Sequence, residues 1–226
     1  NTGLTVFRNR TAEGDRSVSD LALDDFNNVY TTAPFDAQTL SAYVEKLNPK
    51  ATPDAAGLIP VTRWKVGASG EVGVCNEGLS ELGPCLSGVD LDDKNQHLVY
   101  FSHQGRNSVG ELNTKATDQT KNVRYFSLDK LSDQLGLSAE DRVFDPRQLK
   151  VVREDDKTVV WVVTGSGHVV RLIPQSGSYG LMSAHQMPDT PTEEILFGED
   201  PFGIAPDGGA IGYTSVAHST GGEDPA

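Results

Sequence analysis

The stretch GVDLDDKNQHLVYFSHQGRNSVGELN (88–113) runs through an apolar alternation, an acidic turn and a strand centred on Tyr100, then a polar loop and a further apolar alternation. Short apolar runs bounded by Asp, Asn and Gly read as antiparallel strands joined by tight turns. The same pattern recurs in LALDDFNNVYTT (21–32), VVREDDKTVVWVV (151–163) and IAPDGGAIGYTS (204–215). Tyr30, Tyr100, Trp161 and Tyr213 hold the matching aromatic position.

Further strands follow in register. YVEKLNP (43–49), SVGELNT (108–114) and HVVRLIP (168–174) align Val44 with Val109 and Val169, and Leu47 with Leu112 and Leu172. A fourth strand reads TRWKV (62–66) and VRYFSL (123–128), with Arg63-Trp64 matched to Arg124-Tyr125, and GLMSAHQM (180–187) as a looser third copy. Four antiparallel strands per repeat, entered through an Asp-rich first hairpin, describe a blade of an all-β propeller. The repeats are longer than the ~40–45 residues usual for such blades, which implies insertions at 33–42, 67–87 and 129–146. One helix is expected, over 129–141, where Leu131, Leu135 and Leu137 give a partial helical spacing.

The chain therefore reads as a single, partial propeller domain over 1–226. A closing outer strand lies within 1–18, blades span 19–66, 87–128 and 147–187, and a further blade begins over 200–226. About three and a half blades fall short of the 4–8 of closed rings. A second chain or a missing C-terminal part is expected to complete the ring, the rival being a compact four-blade ring with a degenerate last blade.

The stretches at 88–113 and DPFGIAPDGGAIGYTS (200–215) resemble the blades of the streptogramin B (virginiamycin B) lyase-like and NHL-type propellers. Those blades run through a Pro-x-Gly-Ile step, an Asp-Gly turn, an aromatic strand and a Gly-Asn loop. The resemblance covers most of 19–215 as a pattern and is specific in the two quoted stretches. Lyases, lactonases and binding modules share such blades, so it implies fold more than activity. The lyases use a His base, a nearby Glu and magnesium. By that resemblance His103 and His218 are the candidate bases, and Glu199 and Asp200 would hold magnesium or calcium. The family's Pro-His-Gly step reads Pro201-Phe202-Gly203 here, without its histidine.

Loops before the first strand and between the second and third strands of propeller blades share one end. His103, Arg106, Asn107, Asp145, Arg147, His168, Glu199, Asp200 and His218 fall in such loops. Arg106 and Arg147, beside Asn107 and Asp145, suit a small carboxylate or uronate, since guanidinium pairs with carboxylate through two parallel bonds. The acidic turns (Asp24, Asp25, Asp92, Asp93, Glu154, Asp155, Asp156, Asp207) fall at the other end. They lack the glycine and closing Glu of a calcium loop and are expected to be turn formers. The expected function is binding of a small molecule or protein by an exported propeller, with a metal-assisted lyase or hydrolase as the alternative.

Composition narrows the classes. The 226 residues carry 19 Lys+Arg against 32 Asp+Glu, a net charge of −13. No basic run offers a nucleic-acid surface, and no apolar run is long enough for a membrane-spanning helix. Nucleophile-elbow, zinc-protease, Walker, dinucleotide and haem motifs are absent. Cys75 and Cys85, in GVCNEGLSELGPC, sit among loop-forming residues and read as a disulfide closing about ten residues, worth about 3 kcal/mol. A disulfide points to an extracytoplasmic (secreted or periplasmic) site, with which the sequon Asn9-Arg10-Thr11 agrees. Unreduced protein should resist iodoacetamide and take up two carbamidomethyl groups only after reduction; alkylation without reductant would refute the bridge.

Overall fold

The computed structural model describes residues 10–11, 14–15, 20–36, 41–53, 55, 59–66, 86–118, 122–175, 180–186, 202–204 and 211–213. A short hairpin joins β1 (Arg10–Thr11) and β2 (Gly14–Asp15). The first four-stranded sheet contains β3 (Leu21–Leu23), β4 (Val29–Asp36), β5 (Ser41–Leu47) and β6 (Val61–Lys65). The second contains β7 (Leu86–Leu91), β8 (Leu98–His103), β9 (Ser108–Asn113) and β10 (Val123–Ser127). A helix, α1 (Leu128–Leu135), leads to the third, made of β11 (Pro146–Glu154), β12 (Lys157–Thr164), β13 (His168–Pro174) and β14 (Gly180–Gln186). A two-stranded sheet follows, β15 (Phe202–Ile204) paired with β16 (Ile211–Tyr213). Each sheet is an antiparallel meander in chain order, and β3, β7, β11 and β15 lie beside one another in turn. This is an all-β, propeller-type arrangement of blades.

Strand alternation explains why both faces of a blade are apolar. Val109 and Leu112 are three residues apart, so they project from opposite faces of β9. Val109 packs with Tyr100 and Phe126 against Leu149, Val151, Val160, Val162 and Leu172 of the third blade. Leu112 packs with Val99 and Phe101 against Ala22, Tyr30, Ala42 and Val44 of the first. The repeated aromatics therefore face forward, Tyr30 onto the second blade and Tyr100 onto the third, both about 1% exposed. Trp161 keeps that orientation, clustering with Val152, Val159, Val163 and Val169 on the far face of the third blade. The Tyr100 hydroxyl donates to Glu111 Oε2 (2.8 Å), and Arg124 closes the group with Nε and Nη2 on the same carboxylate (2.7 and 2.6 Å).

At the axis, the first strand of each blade has one paired edge and one free edge. Asp20 Oδ2 accepts from the Val89 amide and Asp90 Oδ2 accepts from the Val151 amide, both at 2.9 Å. Hydroxyls repeat the step: Thr32 Oγ1 donates to the Ser87 carbonyl (3.1 Å), and Ser87 Oγ donates to the carbonyls of Pro146 (3.0 Å) and Arg147 (3.1 Å). Gly88 makes the close approach of β7 and β11 possible. A Cβ there would stand 2.7 Å from the Arg147 carbonyl oxygen and 2.8 Å from the Leu149 nitrogen.

The acidic turns at Asp24, Asp92 and Asp155–Asp156 are turn formers, and Asp207 lies outside the described residues. Asp24 Oδ1 accepts from the amides of Phe26 (3.0 Å) and Asn28 (2.8 Å), and Asp92 Oδ1 from those of Lys94 and Asn95 (2.9 Å each). Asp155 and Asp156 take left-handed conformations (φ 46° and 61°) in a two-residue hairpin. Among the described residues no cluster of three or more metal-ligating side chains occurs.

Four expectations need correction or limit. The fourth-strand match is displaced by one residue. Val44 pairs with Trp64 and Val109 with Phe126, so Arg63 corresponds to Tyr125 and Trp64 to Phe126. A one-residue slip exchanges the faces of a strand, and Tyr125 accordingly packs toward the first blade. The helix begins one residue earlier than expected, with Ser127 Oγ accepting from the Lys130 amide (3.3 Å), and ends before Gly136, whose φ of 66° favours glycine. The loop expected at 33–42 is largely the extended ends of β4 and β5, with a bulge between Ala33 and Asp36. Residues 2–9 and 67–85 lie outside the described residues. Gly88→Ala should force β7 from β11 and destabilise the fold by about 1–3 kcal/mol, read as a lower urea midpoint; an unchanged midpoint would contradict that packing.

Candidate functional site

Among the described residues, the entry to β11 and the β8–β9 and β12–β13 turns meet at one end, opposite the acidic turns. Here Gln104, in a 3-10 turn over Gln104–Arg106, donates from Nε2 to Asp145 Oδ1 at 2.6 Å. Arg147 Nε donates to Asp145 Oδ2 at 2.7 Å. Asp145 has φ 58°, and its carbonyl accepts from the Gly165 amide at 2.8 Å. A Cβ on Gly165 would stand 2.1 Å from Asp145 Oδ2 and 2.9 Å from Arg147 Nε. Asp145 thus joins the β8–β9 turn to β11 through its carboxylate and holds the β12–β13 turn through its backbone carbonyl. Arg147 is only 8% exposed; its place is within this link, where Asp145 offsets its charge, and not on an open ligand surface.

His103 closes β8 and is fully buried. Its Nδ1 accepts from the Arg106 amide (3.2 Å), capping the 3-10 turn. That bond puts the neutral ring's proton on Nε2. The imidazole meets Tyr125 edge to face at 5.8 Å between ring centres, on the side of β8 that carries Phe101 and faces the first blade. Burial lowers its pKa to about 4. It is a neutral structural cap in an inter-blade seam, and a general base wants a pKa near the operating pH. His168 is engaged in the corresponding turn, with Nδ1 3.1 Å from Ser166 Oγ while its backbone amide donates to Thr164 Oγ1 (3.0 Å). Burial lowers its pKa as well.

Asn107 takes φ 44° and ends the 3-10 turn. Its Nδ2 donates to Asp129 Oδ1 (2.9 Å) and to the Val143 carbonyl (3.0 Å), so it anchors α1 and the segment that follows. Arg106 differs from these residues. Its side chain is exposed and its guanidinium lies 4.3 Å from the centre of the Tyr125 ring. The Tyr125 hydroxyl donates to the Val66 carbonyl at the end of the first blade. The stack gives the long side chain a defined platform, a contact worth about 0.5–1 kcal/mol at an exposed site.

Of the residues expected at this end, Asp145 and Arg147 are in contact, and His103 and Arg106 belong to one turn that Gln104 ties to Asp145. Asn107 turns toward α1. His218, Glu199, Asp200, Cys75 and Cys85 lie outside the described residues. Gln104, Tyr125 and Gly165 escaped the sequence reading. Gln104 has no distinctive context, the one-residue slip hid Tyr125, and Gly165 reads as an ordinary turn residue.

No family model and no curated protein matches the chain. Among solved structures, the chain is similar to one from Bacteroides uniformis described as a candidate 6-phosphogluconolactonase, at 10% identity and a TM-score of 0.45, over 93% of this chain and 67% of that one.

The unfolded chain binds the His103 proton with its ordinary pKa near 6.5 and the folded chain only near 4. This contribution is harmless above pH 6.5 and destabilises progressively as pH falls toward 4, by up to about 3 kcal/mol. His103→Asn, which keeps an acceptor for the Arg106 amide, should flatten the loss of urea stability between those pH values. An unchanged acid slope would show that His103 is not the group responsible.

Proposed function

We propose that the chain is an exported propeller of the streptogramin lyase-like or NHL-type kind that binds a small anionic ligand, such as a carboxylate or uronate, at its loop-rich end. The observation that carries this reading is the Arg106 guanidinium on Tyr125, an exposed cation seated on a ring that is itself fixed to Val66. The rest of that end is braced by the Gln104–Asp145–Arg147 link, so the platform is set before a ligand arrives, which lowers the ordering cost of binding. At the opposite end the Asp24 and Asp92 carboxylates are already engaged, each by its own turn, Asp24 also by Lys46 and Asp92 also by Thr158 and Arg153. The lyase alternative gains no support from His103, buried and neutral as it is. Export rests on the expected Cys75–Cys85 bridge.

Isothermal titration with glucuronate and galacturonate tests the reading. Wild type should bind at least one of them, and Arg106→Ala should weaken that binding by roughly tenfold or more, the scale of a lost charge-assisted hydrogen bond. Lys94→Ala, at the opposite end, should leave it unchanged. Absence of binding by wild type, or equal affinity in Arg106→Ala, would overturn the proposal.

A further inference from the structure

The turn from β12 to β13, Thr164-Gly165-Ser166-Gly167-His168, sets a hydroxyl against an imidazole. Ser166 is partly exposed, and its Oγ lies 3.1 Å from His168 Nδ1. A neutral ring with its proton on Nε2 presents Nδ1 as an acceptor for the hydroxyl proton. The same Oγ accepts from the Phe144 amide at 3.1 Å. An N–H aimed at an oxygen favours the negative charge that builds there as the proton leaves. Ser166 thus has both a taker for its proton and a donor for the resulting charge, the conditions that activate a weak nucleophile. Thr164 Oγ1 is also close to Ser166 Oγ, at 2.9 Å. Of these two acceptors only the imidazole is basic enough to take the proton.

The pair is held in place from several directions. Thr164 Oγ1 donates to the His168 carbonyl and accepts from the His168 amide, both at 3.0 Å, which fixes the backbone of the base. The Gly165 amide donates to the Asp145 carbonyl (2.8 Å), that of Ser166 to the Phe144 carbonyl (3.4 Å) and that of Gly167 to the Thr164 carbonyl (3.1 Å). Groups set in this way lose little freedom when a substrate arrives. Burial keeps the His168 ring neutral, while the Ser166 backbone and Asp141, on the segment after α1, favour the imidazolium that forms when the proton arrives. We propose that Ser166 and His168 form a nucleophile–base pair that passes the acyl group of a carboxylic ester to water. Ser166 Oγ bonds to the acyl carbon as its proton moves to His168 Nδ1. The bond to the alcohol oxygen breaks, and that oxygen receives the proton. Water, deprotonated by the same nitrogen, then releases the acid and restores the serine. This inference goes beyond the binding reading and does not depend on a ligand at Arg106.

A fluorophosphonate probe with peptide mapping tests the pair, because an unactivated serine does not attack phosphorus at neutral pH. The label, formed as an Oγ–P bond with loss of fluoride, should appear on Ser166 and vanish in Ser166→Ala. p-Nitrophenyl acetate should be hydrolysed by wild type and not by that variant. His168→Gln should slow labelling about a hundredfold or more. Since that substitution also alters the turn, the wild-type labelling rate is followed against pH. It should rise as His168 loses its proton and level off below the 6.5 of an ordinary imidazole. No label on Ser166, ester hydrolysis that survives Ser166→Ala, full-rate labelling in His168→Gln, or a rate that keeps climbing with hydroxide would each overturn the proposal.

Discussion

The first strand of every blade has a free edge at the axis, and the assembly depends on how that edge is satisfied. Buried backbone N–H groups need acceptors, and an unpaired edge invites pairing with any extended chain. Here a carboxylate from one blade accepts from an amide of the next: Asp20 serves Val89 and Asp90 serves Val151. The two acceptors also fix the offset between blades, since each reaches a strand amide at a defined register. With the strands held this close, only Gly88 fits against the backbone of β11.

Packing between blades follows from that spacing. Sheets brought face to face must bury both surfaces, so each strand alternates forward-facing and backward-facing apolar residues, as Val109 and Leu112 do. The loop-rich end inherits the same dependence. Asp145 can join three segments because β11 has already been set against β7, and Arg106 can lie on Tyr125 because Tyr125 spans to Val66 of the first blade. Its geometry is therefore a property of neighbouring blades and not of one loop.

The blade pattern was legible because a strand's period is two and a turn's chemistry is local. Tyr30, Tyr100 and Trp161 announce the second strand, and Asp24 and Asp92 the hairpin that precedes it. Register in the fourth strand was not legible. VRYFSL and TRWKV each contain Arg followed by an aromatic, and composition cannot tell a match from a one-residue slip; the pairing of Phe126 with Val109 decides it. Site chemistry was legible only as residue types in loops. His103, an obvious candidate base by type and position, is withdrawn into a seam between blades and kept neutral there.

Sequence alone determined that the chain is a repeat of four-stranded antiparallel sheets, that Asp-rich turns close one end, and that polar loops gather at the other. These follow from interactions within a few residues, which any copy of the motif makes for itself. Tertiary structure alone decided that Arg147 is spent on Asp145, that Asn107 serves α1, and that Arg106 rests on an aromatic ring. Each of these depends on what a neighbouring blade or segment presents at close range, and alternation along a strand carries no record of its neighbour.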